Sequence, residues 1–300
     1  MTLEMPSSLQ PAVIDTGETA IHVLHAGSGP GLLLLHGFPQ TSMMWREVAP
    51  LLADRFTVVC ADLRGYGASG CPASSEDHAP YSKRALARDM VAVMTSFDFG
   101  RFSVAGHDRG GRVAYRLAFD HPQRIHRVAV LDIVPIDVAW ERADDRLALG
   151  FWPWSLLAQA GPLPERLIAA APEAVIDNAL SREWGTPAST FEPEIRAQYA
   201  GQLRDPDHLH AICEEYRAAA GIDREHDRAD RESGRQITCP LLALWSRNGP
   251  LGSWYGDLGG PLAVWRALAP DVRGWAVDGG HFFAEEHPTR TARTLAEFFG

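Results

Sequence analysis

The run Phe102-Ser103-Val104-Ala105-Gly106-His107-Asp108-Arg109-Gly110-Gly111 constrains this chain more than any other stretch. A short segment of strand character meets a Gly-x-Asp-x-Gly turn, and an apolar helical pattern follows with Val113, Ala114, Leu117 and Ala118. The glycines allow a tight turn and a close approach of helix to strand. Such a turn pushes its central side chain out at the carboxyl end of the strand, beside a helix N-terminus. Here that side chain is Asp108. A serine in this place would need deprotonation before attack, whereas a carboxylate is already ionised and can displace a leaving group from a saturated carbon. The product is an ester on the protein, which a base and water must then cleave. The competing reading is a helix N-cap, a common place for aspartate.

The rest of the chain alternates in the same way. Apolar runs predict strands at 19–25, 31–35, 56–61, 102–106, 128–133, 240–245 and 274–277, several of them continuously apolar as buried parallel strands are. Helical patterns lie between them at 42–52, 82–96, 110–119 and 262–268, and at 289–299 after Pro288. This order predicts an α/β fold with a mostly parallel sheet flanked by helices. The alternation stops after Pro135, and the pattern becomes helical, aromatic and proline-interrupted. The expected organisation is a core of residues 1–136 and 236–300 with an inserted helical cap at 137–235.

Net charge is −10 with acids and bases interspersed, which argues against nucleic acid or an anionic membrane surface as a partner. An anionic substrate would need local positive charge to draw it in. Cys60, Cys71, Cys213 and Cys239 form no CxxC pair, and are expected to be reduced thiols of a cytoplasmic protein. Residues 1–10 lack the pattern of a signal peptide. His208 and His210 make a His-x-His pair with no supporting pattern for a metal site, and no metal is expected.

The candidate base is His281, in Gly279-Gly280-His281-Phe282 after the last core strand. Its acid partner could follow either of two strands. The strand ending at Trp245 is followed by no carboxylate before Asp257, whereas Leu131-Asp132-Ile133-Val134 puts an aspartate at an apolar strand end. An unpaired charge there would be costly, so Asp132 is assigned to orient His281, with Asp257 as the runner-up and Asp278 expected to point elsewhere. The amides of Phe38, in His36-Gly37-Phe38-Pro39, and of Arg109 are expected to form an oxyanion hole, with His36 bracing the loop. Arg109 and Arg112 place two guanidinium groups beside the nucleophile, where their planar forks suit the carboxylate of a substrate. The alternative for Arg112 is a surface salt bridge.

The run GHDRGGRVAYR resembles the elbow of the haloacetate (fluoroacetate) dehalogenases of the α/β-hydrolase superfamily, as do HGFPQTSMMW, ADLRGYGAS, YSKRALARDM, LDIVPI, LAQAGPLPERLI, CEEYRAAAGID, DVRGWAV and GGHFFAEEHP. The resemblance spans nearly the whole chain, and the Asp108–Arg109 pair is its most specific part. It implies an α/β-hydrolase fold, a short 2-haloacid as substrate, displacement of halide by Asp108, hydrolysis of the ester by His281 and Asp132, no metal or organic cofactor, and a cytoplasmic homodimer. It further implies a halide pocket containing Trp154 and the cap residue Tyr216. The family's pocket histidine falls on Pro153, which offers no side-chain donor and no N–H. Losing one donor aimed at developing charge costs roughly 3 kcal/mol, so fluoride is expected to leave poorly, unless Trp152 supplies the donor instead. Two alternatives are an epoxide hydrolase, which would use Tyr216 and a second tyrosine such as Tyr199, and a non-catalytic binder of small carboxylates.

Overall fold

A computed structural model describes residues 8–181 and 184–300. Residues 1–7, within the stretch read for a signal peptide, and Arg182 and Glu183 of the expected cap lie outside the described residues. Eight strands form one sheet: β1 (Gln10–Asp15), β2 (Ala20–Ala26), β3 (Gly31–Leu35), β4 (Thr57–Ala61), β5 (Phe102–His107), β6 (Ile125–Leu131), β7 (Leu241–Ser246) and β8 (Val272–Val277). Their order is β1-β2-β4-β3-β5-β6-β7-β8. The first two strands run antiparallel to their neighbours, and the remainder pair in parallel. Leu32 to Leu35 are buried on both faces of the sheet, as a central parallel strand requires. The edge strand β1 was not expected from the sequence: it is largely exposed and carries Pro11, a residue that sheets accept at their edges.

The expected helix over 42–52 is two pieces, a 3₁₀ turn at Ser42–Trp45 and a short helix at Val48–Leu52. The Lys83–Ser96 helix follows β4, and the Asp108–Asp120 helix follows β5 without an intervening residue. Gly106 makes that junction possible, since a Cβ there would lie 2.2 Å from the carbonyl oxygen of Gly110. Between β6 and β7 the described residues form helices and no strand, the longest being Pro206–Ala220. That segment docks on the core through charge: Arg116 pairs with Asp227 at 2.7 Å, and Tyr115 donates to Asp227 at 2.6 Å.

The chain runs from β3 outward to β4, then back across to β5 on the other side of β3. Ligand sites in open α/β sheets form at the carboxyl ends of strands where the order reverses in this way. The loop holding Phe38 follows β3 and Asp108 follows β5.

Candidate active site

Asp108 begins its helix with φ +43°, a left-handed backbone that costs a non-glycine residue about 1–3 kcal/mol. The N-cap position falls on His107, so Asp108 is not the cap. Its carboxylate is turned to the loop after β3, where the Phe38 amide donates to Oδ2 at 3.0 Å. Gly37 permits this approach, because a Cβ on it would sit 2.5 Å from the Asp108 Cβ. Burial pushes the Asp108 carboxyl up, but the fields of His281, Arg112 and Arg109 together bring it down to about 2. His36 holds the loop itself: its Nδ1–H donates to the Gly37 carbonyl at 2.9 Å, and its Nε2 accepts from the Leu63 amide at 3.0 Å.

Across the site, His281 Nδ1 donates to Asp132 Oδ2 at 2.6 Å, and the other carboxylate oxygen accepts from the Ser246 amide at 2.7 Å. Asp132 also has a left-handed backbone, with φ +55°. It follows the last residue of β6 and is almost wholly buried, with every oxygen used. Asp257 lies at the surface and pairs with Arg142, and Asp278 pairs with Arg247 and Arg290.

Asp108, Arg112, Asp132, Phe151, Trp154, Tyr255 and His281 line one small cavity of about 30 Å³. A single water needs about 10–15 Å³ by the same measure, so the cavity suits a molecule of few heavy atoms. An aspartate at a strand–turn–helix elbow, an aspartate after β6 and a histidine after the last strand stand in the chain order of one fold family. Residues 30–288 match the model of the alpha/beta hydrolase fold. The chain belongs to the α/β-hydrolase family.

This hydrolase is similar to fluoroacetate dehalogenase from Burkholderia sp, with 44% identity over 95% of this chain and 92% of that one. It is also similar to soluble epoxide hydrolase from Corynebacterium sp. (strain C12), with 31% identity over 93% of each. A solved structure of a candidate alpha/beta hydrolase from Nostoc sp PCC 7120 superposes with a TM-score of 0.92 at 45% identity, covering 97% of this chain and 98% of that one.

The arginines differ from the sequence expectation in detail. Arg109 does not offer its fork to the cavity. It turns Nε and Nη2 onto Glu215, at 2.7 and 2.8 Å, and only Nη1 is left without a partner among the described residues. Glu215 also pairs with Lys83, which in turn reaches Asp223 at 3.4 Å. Burial opposes the charge on Glu215, but Arg109 and Lys83 hold its carboxyl below the ordinary range. Arg112 is buried rather than engaged in a surface salt bridge. One of its nitrogens donates to the Val134 carbonyl at 3.4 Å, and its Nε has no partner among the described residues. Its guanidinium lies 4.7 Å from the Trp154 ring centre, while that of Arg109 lies 4.0 Å from the Tyr216 ring centre. Cation–π contact holds both side chains flat against aromatic walls.

Pro153 is buried in the first turn of the Trp152–Leu157 helix. The indole N–H of Trp152, the donor expected to stand in for a side chain at position 153, is given to Asn178 at 2.5 Å. Tyr199 is also remote from the chemistry: its hydroxyl donates to Glu285 at 3.1 Å. Tyr255, a residue the sequence reading missed, lines the cavity, whereas Tyr216 is not among the residues that line it. Also missed were Glu215, Phe151 and Trp184. The carbonyl of Trp184 accepts from the His281 amide at 2.7 Å, and its ring packs 5.4 Å from the imidazole. His208 and His210 go separate ways, to the Gly65 carbonyl and to Ser74. All four cysteines are free.

Proposed function

We propose that this hydrolase removes halide from short 2-haloacids through an ester on Asp108. One observation carries the reading: a carboxylate held ionised, with two buried guanidinium groups behind it that each keep an N–H unpartnered among the described residues, beside a cavity sized for a few heavy atoms. Arg109 Nη1 and Arg112 hold the substrate carboxylate and bring its α-carbon to Asp108. Oδ2 is engaged by the Phe38 amide, so Oδ1 forms the new C–O bond as the carbon–halogen bond breaks and halide leaves with the electron pair. Trp154 and Tyr216 receive the halide. His281 Nε2 then takes a proton from water, and the hydroxide adds to the Asp108 carboxyl carbon. The oxyanion forms on Oδ2, where the Phe38 amide stabilises it, helped by the main-chain amide of Arg109 in the first turn of the helix. Collapse expels the hydroxyacid alkoxide, which recovers the proton from His281. The helical segment at 137–235 acts as the cap that closes this cavity.

His281→Asn tests the reading. The variant is expected to gain the mass of a carboxymethyl group on incubation with chloroacetate, localised to the Asp108 peptide. Absence of the adduct while the wild type releases chloride would overturn the ester mechanism. An epoxide hydrolase has one observation in its favour, a tyrosine, Tyr255, in the cavity wall, but a neutral epoxide gains nothing from two buried arginines. Diol formation from styrene oxide with no halide release would decide for it.

A further inference from the structure

His107 takes no part in the chemistry above, yet both its ring nitrogens are engaged. Nε2 lies 2.8 Å from the main-chain carbonyl oxygen of His281, and Nδ1 lies 3.0 Å from Oε1 of Gln40. Nε2 of Gln40 donates to Oε2 of Glu285. The remaining Glu285 oxygen accepts from Arg46 at 2.8 Å and from the Tyr199 hydroxyl at 3.1 Å. His107, Gln40 and Glu285 are all buried, so each contact must be a matched donor and acceptor.

Counting protons along the chain leaves two complete arrangements. The His281 carbonyl can only accept, so His107 carries hydrogen on Nε2. If His107 is neutral, its Nδ1 accepts. Gln40 must then turn its amide over from the orientation in the structure, presenting its NH₂ to the ring and its carbonyl oxygen to Glu285, which must be protonated to donate. If Glu285 is ionised, Gln40 keeps the orientation in which Oε1 faces the ring and Nε2 faces Glu285, and His107 must be an imidazolium. The two orientations of the amide occupy the same heavy-atom positions. Both arrangements hold the same number of protons. With one proton fewer, neutral His107 and ionised Glu285 ask the amide to donate in both directions, and one link fails.

We propose that Glu285, Gln40 and His107 are positioning residues that hold the His281 loop through its main-chain carbonyl, and that the chain is complete only while Glu285 keeps a proton. The functional consequence rests on His281 being the base, as proposed above. Burial and the neighbouring His281 hold His107 down to about 3, against the pull of Asp108, with His36 also opposing its charge. Burial pushes Glu285 up to about 7, against the charge of Arg46 and the hydrogen bonds it accepts from Arg46, Gln40 and Tyr199. Arg46 is shared with Glu47 at 3.3 Å, which lessens its hold on Glu285. Together these place the proton on Glu285. It is lost as pH rises through about 7, so turnover falls on the alkaline side.

Glu285→Gln supplies an NH₂ donor to Gln40 at every pH and keeps an oxygen for Arg46 and Tyr199. The variant is expected to release halide at the wild-type rate below the limb and to lack the alkaline fall, with the wild-type fall appearing in kcat and not in KM. A limb of unchanged position in Glu285→Gln overturns the proposal, as does an equal loss of kcat at all pH values. The proton itself is read without turnover, by ¹⁵N NMR of the histidine rings in the wild type. A neutral His107 with hydrogen on Nε2 is expected; an imidazolium, or hydrogen on Nδ1 alone, refutes the assignment. Because this second readout needs no substrate, failure of the dehalogenase reading and failure of the proton chain are distinguishable.

Discussion

Replacing Asp132 by Asn separates the two halves of the proposed reaction. Asp132 accepts from two donors, His281 Nδ1–H and the Ser246 amide. An asparagine has one acceptor oxygen, so one contact becomes an NH₂ facing a donor. If the oxygen stays with the Ser246 amide, His281 must turn Nδ1 into an acceptor and carry its hydrogen on Nε2, where it can no longer take a proton from water. The lost charge-assisted hydrogen bond costs roughly 1.5–3 kcal/mol, which at about 1.4 kcal/mol per tenfold is on the order of 10- to 150-fold in rate. The wrong tautomer adds to this, towards the order of 10⁴-fold that the equivalent change produces in serine hydrolases. Displacement by Asp108 needs no base, so it should survive. Rapid-quench halide release from bromoacetate should therefore show a burst of one halide per site at close to the wild-type rate, followed by steady-state turnover slower by the order of 10³–10⁴. A burst slowed as much as the steady state would refute the reasoning, since Asp132 would then serve the displacement itself.

Other outcomes follow from the same geometry. Arg112→Leu should raise KM for haloacetates and lower kcat/KM by the order of 10²-fold or more, the loss of a charged hydrogen bond to substrate; unchanged kcat/KM would remove it from substrate binding. Gly37→Ala brings a Cβ to 2.5 Å from that of Asp108 and should abolish ester formation while leaving a folded protein by circular dichroism; full activity would show that the loop shifts freely. Fluoroacetate should be turned over far more slowly than chloroacetate, and Pro153→His should raise fluoride release preferentially, by up to the order of 10²-fold; equal effects on both halides would remove position 153 from the halide pocket. Asp108 is held at about 2, so its ionised form, and the burst rate, should persist as pH falls and be lost only on approaching that value. An acid limb in the burst with a midpoint near the ordinary carboxylate range would contradict the combined field of His281, Arg112 and Arg109.

How much of this was legible in the sequence depends on how local each constraint is. The elbow is written into adjacent residues, because glycines at Gly106 and Gly110 are required within one turn. The aspartate after β6 was readable from the cost of stranding a charge at an apolar strand end. Glu215 was not readable, because its partner Arg109 lies 106 residues away and nothing around either residue marks the pairing. The same holds for Trp184, whose contribution to the His281 loop is a main-chain carbonyl that any residue carries. Strand β1 was hidden by exposure, and the 42–52 segment broke in two because Ser42 to Trp45 are all buried, which a single amphipathic helix does not allow. The Trp152 indole illustrates a further limit: sequence identifies a donor but not the acceptor that claims it.

The bond from the His281 amide to the Trp184 carbonyl, together with that from the Phe282 amide to Thr186 at 3.0 Å, bears on how this scaffold can be re-engineered. Gly280 fits so closely under that segment that a Cβ would lie 2.0 Å from the Thr186 amide nitrogen. The inserted helices are therefore not an interchangeable module. Grafting an insert from a relative with a different substrate range would also replace the peptide groups that hold the histidine loop, so altered selectivity and altered turnover would arrive together. A chimera that retains 184–186 from this chain and exchanges only the helices beyond it would keep the two properties apart.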